Sequence, residues 1–93
     1  MPVVHRLADA APRRRVVTTG RIASAEVRVN GSSHAYCCVL DDGTGEITLV
    51  FTGRKNVPGL VAGTLCRVEG TAGEADGSLV LRNPWYEFQP EKG

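Results

Sequence analysis

At 93 residues the chain has room for one domain, since domains usually run to about 100–150 residues and rarely split below that. Hydrophobic residues make up 42% of it and charged residues 23%, values that exclude a disordered chain. Eleven Lys+Arg against ten Asp+Glu leave a formal net charge of +1, which excludes whole-molecule attraction to nucleic acid and confines any phosphate affinity to a local patch. The N-terminus holds no apolar stretch resembling a signal peptide, and no run approaches the roughly 18 apolar residues of a membrane span. A cytoplasmic protein without membrane contact is the expectation.

Taken in chain order, residues 1–14 form an N-terminal arm, with a short helical turn over Arg6–Ala11 stopped by Pro12. From Arg15 the pattern becomes β. Val16-Val17-Thr18-Thr19 is a β-branched run, followed by Gly20 and then Ile22, Ala25, Val27 and Val29. A strand of this length with an internal glycine is predicted to bend there, because glycine marks bulges and barrel corners. Asn30-Gly31-Ser32-Ser33 is a turn. Tyr36–Leu40 is the second strand and Asp41–Gly45 the second turn, with Ile47–Thr52 the clearest strand of all. Gly53–Gly63 is a long connection containing Arg54, Lys55 and a Pro58-Gly59 turn. Leu65–Thr71 is the fourth strand, and Glu74–Ser78, with Asp76-Gly77 inside it, signals a hairpin. The fifth strand runs from Leu79, is interrupted at Asn83-Pro84, and resumes through Trp85–Phe88. Residues 90–93 are a polar tail, so the folded domain is expected over 15–89.

Five strands, no amphipathic helix of useful length and no internal repeat predict an all-β barrel, since closure removes the exposed edges of so small a sheet. An SH3-like barrel is the competing architecture. The long glycine-bent first strand and the eleven-residue connection after the third weigh against it. Period-two alternation places Ile22, Leu40, Ile47, Leu49, Val68 and Leu81 in the core, with Phe51 beside them.

Three blocks in order, Val16-x-Thr18-x-Gly20-x-Ile22, Leu40–Phe51 with its Asp-Asp-Gly-Thr-Gly turn, and Gly63-x-x-Cys66-x-Val68-x-Gly70, resemble the oligonucleotide/oligosaccharide-binding (OB) family. That family includes the anticodon-binding domains of class II aminoacyl-tRNA synthetases and the wedge domain of RecG-type helicases. The Asn83-Pro84-x-Tyr86-Glu87 ending is similar to the wedge-domain version, and the chain also looks like the small stand-alone OB proteins of high-GC bacteria. The resemblance implies a five-stranded Greek-key barrel, and a groove across strands two and three flanked by the strand 1–2 and strand 4–5 loops.

Enzyme chemistry needs a nucleophile with its base, or an acid/base pair, on a rigid frame. His5 in the arm and His34 in a loop have no partner by spacing, and Asp-Gly-Thr-Gly is followed by neither Lys-Ser/Thr nor a helix, so it reads as a turn. Cys37, Cys38 and Cys66 fall at strand positions without zinc-ligand spacing, and neighbouring strand residues point to opposite faces. Three free thiols, no metal, no cofactor and no catalytic residues are expected. For nucleic acid, the groove needs cations and exposed aromatics. Arg21, Arg28, Arg54 and Lys55 are the candidate cations. Tyr36 at a strand start and Trp85 near Pro84 are the candidate stacking rings, with either Trp85 or Tyr86 facing outward. Glu74 and Asp76 in the strand 4–5 loop repel phosphate. The expected activity is therefore weak binding of single-stranded DNA or RNA without strong sequence preference. The alternative is an adaptor that docks a nucleic-acid-processing protein through an apolar patch around Val39, Val50 and Trp85.

Overall fold

A computed structural model describes residues 3–91, so residues 1 and 2 of the expected arm and 92 and 93 of the expected tail lie outside the described residues. Turn chemistry sets the strand ends. Gly31 adopts φ 62° between β1 (Arg15–Asn30) and β2 (Ser33–Asp41), and Asp42–Gly45 leads into β3 (Glu46–Thr52). Asp76 and Gly77 take φ 51° and 79°, the left-handed pair of a type I′ turn that asparagine, aspartate and glycine tolerate. That turn joins β5 (Gly73–Ala75) to β6 (Ser78–Arg82).

The strands form one sheet in the order β5-β6-β3-β2-β1-β4-β7, where β4 is Leu65–Thr71 and β7 is Trp85–Phe88. Every pairing is antiparallel except β3 with β6. Since β4 and β5 are separated only by Ala72, the sheet curls back on itself as a barrel.

Among the described residues, seven strand segments replace the five expected. Ala72 leaves the ladder because its N–H donates to the Arg14 carbonyl (2.8 Å) and its carbonyl accepts from Arg13 N–H (2.8 Å), dividing the fourth strand. The fifth divides at Asn83, which takes φ 49° before Pro84 and lets the chain exchange a parallel partner, β3, for an antiparallel one, β4. Asn83 bridges the gap. Its N–H donates to the Val50 carbonyl (2.7 Å), while its Oδ1 accepts from Thr52 N–H (3.0 Å).

The first strand bends over Gly20–Ala23, where it passes from β4 to β2. The register slips between Ile22 and Ser24, which leaves Ala23 as an extra residue. This bulge explains the odd spacing between the apolar positions Ile22 and Ala25, because an extra residue returns the following side chains to the alternate faces.

Ile22, Leu40, Ile47, Leu49, Val68 and Leu81 are all buried, as alternation predicts, and Phe51 joins them. Two further segments complete this core. The arm contributes Val4, bridged to Val16, and Leu7 from a 3-10 turn over Leu7–Asp9. The connection between β3 and β4 contributes Val57 and Leu60.

Asp42 holds the arm in place. Its carboxylate accepts from Leu7 N–H (2.8 Å), Thr44 N–H (2.8 Å), the Thr44 hydroxyl (2.7 Å) and Gly45 N–H (3.0 Å). Partial burial works to raise its pKa, but the hydrogen bonds from Leu7, Thr44 and Gly45 outweigh it and hold the carboxyl below its ordinary value. A pKa depressed by folding adds stability above the unfolded value, and that stability is lost as pH falls through the folded value. Thermal stability of the wild type should therefore fall on acidification below about pH 4. Asp42→Asn should flatten this acid limb, and Asp42→Ala should cost about 1–3 kcal/mol at neutral pH by stranding its donors. Melting curves across acid pH check both; an acid limb unchanged in Asp42→Asn would refute the assignment.

Candidate binding cleft

Cross-strand register places one row of side chains on the outer face of four strands: Glu26 of β1, Cys37 of β2, Val50 of β3 and Arg82 of β6. Directly paired residues share a face, so the next row follows as Arg28, Ala35 and Thr52. Apart from Glu26, which stands outside the lining, these rows floor a cleft of about 550 Å³ between the β1–β2 hairpin and the β5–β6 hairpin, with Val80 and Ala75 on the far wall. Its rim carries Asn30, Ser32, Ser33 and His34, whose imidazole lies 3.2 Å from the Gly53 carbonyl.

The floor is small and neutral. Burial pushes the Cys37 thiol up, with Arg28 acting against it and Glu26 in the same direction. Charge enters from the edges, as the guanidiniums of Arg28 and Arg82 on two different strands. No carboxylate lines the cleft among the described residues. Glu74 and Asp76 flank the lining residue Ala75 in the chain, and Glu26 lies 3.0 Å from Arg28 Nε on the same strand face. Both side chains of this pair are more than half exposed, where such ion pairs contribute little.

Of the six residues singled out from sequence, only Arg28 lines this cleft. Arg54 and Lys55 are exposed and follow directly on Thr52 and Gly53 at its rim. Arg21 faces outward elsewhere. Its guanidinium donates to both Glu91 carboxylate oxygens (2.6 and 3.0 Å) and to the Gly63 carbonyl (3.0 Å). That hydrogen bond holds the Glu91 carboxyl below its ordinary range.

Tyr36 requires correction. It is buried, and its hydroxyl donates to the Leu60 carbonyl (2.7 Å), so its ring belongs to the core and offers no surface to a base. The cause is the connection after β3, which folds over the start of β2 and takes the strand end that sequence placed at the rim. Trp85 is the outward member of its pair, 48% exposed on β7 beside Glu69 of β4, and it does not line the cleft. Tyr86 turns inward, its ring edge-on to Phe51 at 5.6 Å and to Phe88 at 5.8 Å. The expected apolar patch is likewise divided, with Val39 and Val50 on the outer face of β2–β3 and Trp85 at the far end of the strand order.

Sequence reasoning missed Arg82, His34 and Val80. Alternation along Leu79-Val80-Leu81-Arg82 already placed Val80 and Arg82 on one face. The parallel β3–β6 pairing was needed to set that face beside Val50.

The fold has a counterpart among solved structures. The solution NMR structure of the OB domain of Ta0387 from Thermoplasma acidophilum superposes with a TM-score of 0.74 at 17% identity, covering 97% of this chain and 89% of that one. The chain has the OB fold. No protein-family model matches it, and no curated protein sequence does either. In OB terms β4 and β5 are the two halves of strand four, β6 is strand five, and β7 is an added segment on strand four. The cleft lies on the OB face made by strands two and three, between the strand 1–2 and strand 4–5 loops. No helix among the described residues is long and apolar enough to cross a membrane.

Proposed function

We propose that this OB domain is a non-catalytic module that holds a single strand of nucleic acid, DNA or RNA, in the cleft across β2 and β3. One observation supports this reading above others: two guanidiniums, Arg28 and Arg82, flank a neutral floor on the OB face with no carboxylate lining it. Phosphates would lie against Arg28 and Arg82, with Arg54 and Lys55 extending the positive track along the rim. Bases would meet Ala35, Cys37, Val50 and Val80, which offer contact area but no ring to stack on. Base–aromatic stacking contributes about 1–3 kcal/mol per base, so a floor without rings implies weak, phosphate-dominated binding with little sequence preference.

Anisotropy titrations with labelled single-stranded DNA, single-stranded RNA and duplex test the proposal. Single strands should bind in preference to duplex, with affinity falling steeply as salt rises. Arg82→Glu should weaken binding tenfold or more, about 1.4 kcal/mol, and flatten the salt dependence because fewer counterions are released. Trp85→Ala, altering an exposed ring outside the cleft, should leave affinity within about twofold. Absence of single-strand binding by the wild type at low salt would overturn the reading and favour a protein ligand for the same face.

A further inference from the structure

The distal half of β1 is an open sheet edge. Beyond Ile22, whose backbone bonds reach Thr64 and Gly63, residues 23–30 are all exposed, and among the described residues 24–30 pair only with β2. Val27 and Val29 are 44% and 71% exposed. Unpaired edges of this kind are templates for another strand.

The register of the hairpin determines which backbone groups are free. Asn30 and Ser33 flank the two-residue turn Gly31-Ser32 and form its hydrogen-bonded pair. Hydrogen-bonded and non-hydrogen-bonded pairs alternate along an antiparallel ladder, so Arg28 and Glu26 also direct their backbone groups at β2. Ala25, Val27 and Val29 direct theirs away. Consistently, the residue opposite Val29, His34, turns its carbonyl to β3, where it accepts from Gly53 N–H at 2.9 Å. Side chains alternate in the same rhythm: Glu26 and Arg28 on the outer face, and Ala25, Val27 and Val29 on the other.

We propose that this edge pairs with the same edge of a second copy, antiparallel about a two-fold axis at Val27. The sequence of the edge is self-complementary in that register alone. Val27 meets Val27 of the second copy and Ala25 meets Val29, each as a hydrogen-bonded pair using the free N–H and C=O groups. Glu26 then lies directly opposite Arg28, and Arg28 opposite Glu26, in the closer non-hydrogen-bonded pairs. Moving the axis by one residue sets Glu26 against Glu26 or Arg28 against Arg28, and like charges directly opposite are destabilising. Because the same patch serves on both copies, the contact closes at two and does not propagate into fibres. The two-fold stands perpendicular to the sheet, so the outer faces of both copies, and with them both clefts, open on the same side. Arg28 borders both the edge and the cleft, so the pairing is measured without nucleic acid.

Sedimentation equilibrium of the full chain, from about 1 μM to about 1 mM, should show a reversible shift from monomer to dimer. Val27→Pro removes a donor that β2 does not use, so the fold should persist by circular dichroism while dimerisation is lost. Glu26→Arg and Arg28→Glu should each weaken the dimer at least about tenfold. An equimolar mixture of those two variants should form a heterodimer, and the double variant Glu26→Arg/Arg28→Glu should regain self-association, since both restore opposite charges across the axis. A wild type that remains monomeric throughout would overturn the proposal. So would a dimer indifferent to Val27→Pro, or charge variants that fail to complement each other. Anisotropy with the Arg82→Glu variant reports on the cleft separately, as Arg82 lies outside the edge.

Discussion

Leu49→Ala should lower the stability of this domain by about 2–5 kcal/mol, the range for removing a buried leucine side chain. Leu49 is fully buried at the centre of β3, with Cys38 of β2 on one side and Leu81 of β6 on the other. Both neighbours are themselves fully buried and lie in strands held by ladders on both sides, so little can collapse into the space. A domain of this size has only about 5–15 kcal/mol in total, and the loss would be a large fraction of it. Val50→Ala is the informative comparison. Val50 is next along the same strand but faces the cleft and is half-buried, so its truncation should cost clearly less. Urea unfolding of the two variants measures the difference, with a lower midpoint at unchanged m-value expected for Leu49→Ala. Equal costs would mean that the face assignment of β3 is wrong.

Gly20→Ala should be the most damaging single-atom addition, costing about 1–3 kcal/mol or more through overpacking. A Cβ at Gly20 would lie 2.5 Å from the Asp41 carbonyl oxygen, 2.9 Å from its carbon and 3.0 Å from Asp42 Cα. All three are backbone atoms, so no side chain can rotate away. The strand corner or the β2–β3 turn must move, and moving that turn disturbs the Asp42 carboxylate that holds Leu7. The loss should therefore appear in two readouts: a lower melting temperature, and faster amide exchange at Leu7. Gly20→Ala with wild-type stability would show that β1 does not approach the turn so closely.

The barrel was largely legible from local chemistry. Strand runs, turn residues and the alternation that buries Ile47, Leu49 and Phe51 are short-range signals, written within a few residues of where they act. The bend in β1 was legible as a glycine, and the hairpin as Asp76-Gly77, whose type I′ geometry the backbone angles supplied. The site was far less so. Arg28 and Arg82 are 54 positions apart in the chain (82 − 28) and share a face only through the ladders β1–β2, β2–β3 and β3–β6. Arg21 faces outward with the same charge as Arg28, yet it meets Glu91 because it lies before the Ala23 bulge, on the part of β1 that pairs with β4.

The sequence by itself determined where most strands and turns fall and that Ile22, Leu40, Ile47, Leu49, Val68 and Leu81 face inward, because those choices rest on propensity and period. Only the tertiary structure decided which surface residues meet. It placed Tyr36 inside, since the Val57–Leu60 segment closes over it and its hydroxyl finds the Leu60 carbonyl. It placed Trp85 outside, since Asn83 at a left-handed φ turns the strand so that Tyr86 takes the core side against Phe51. Burial at a strand end depends on which distant segment covers it, and period-two alternation carries no information about that cover.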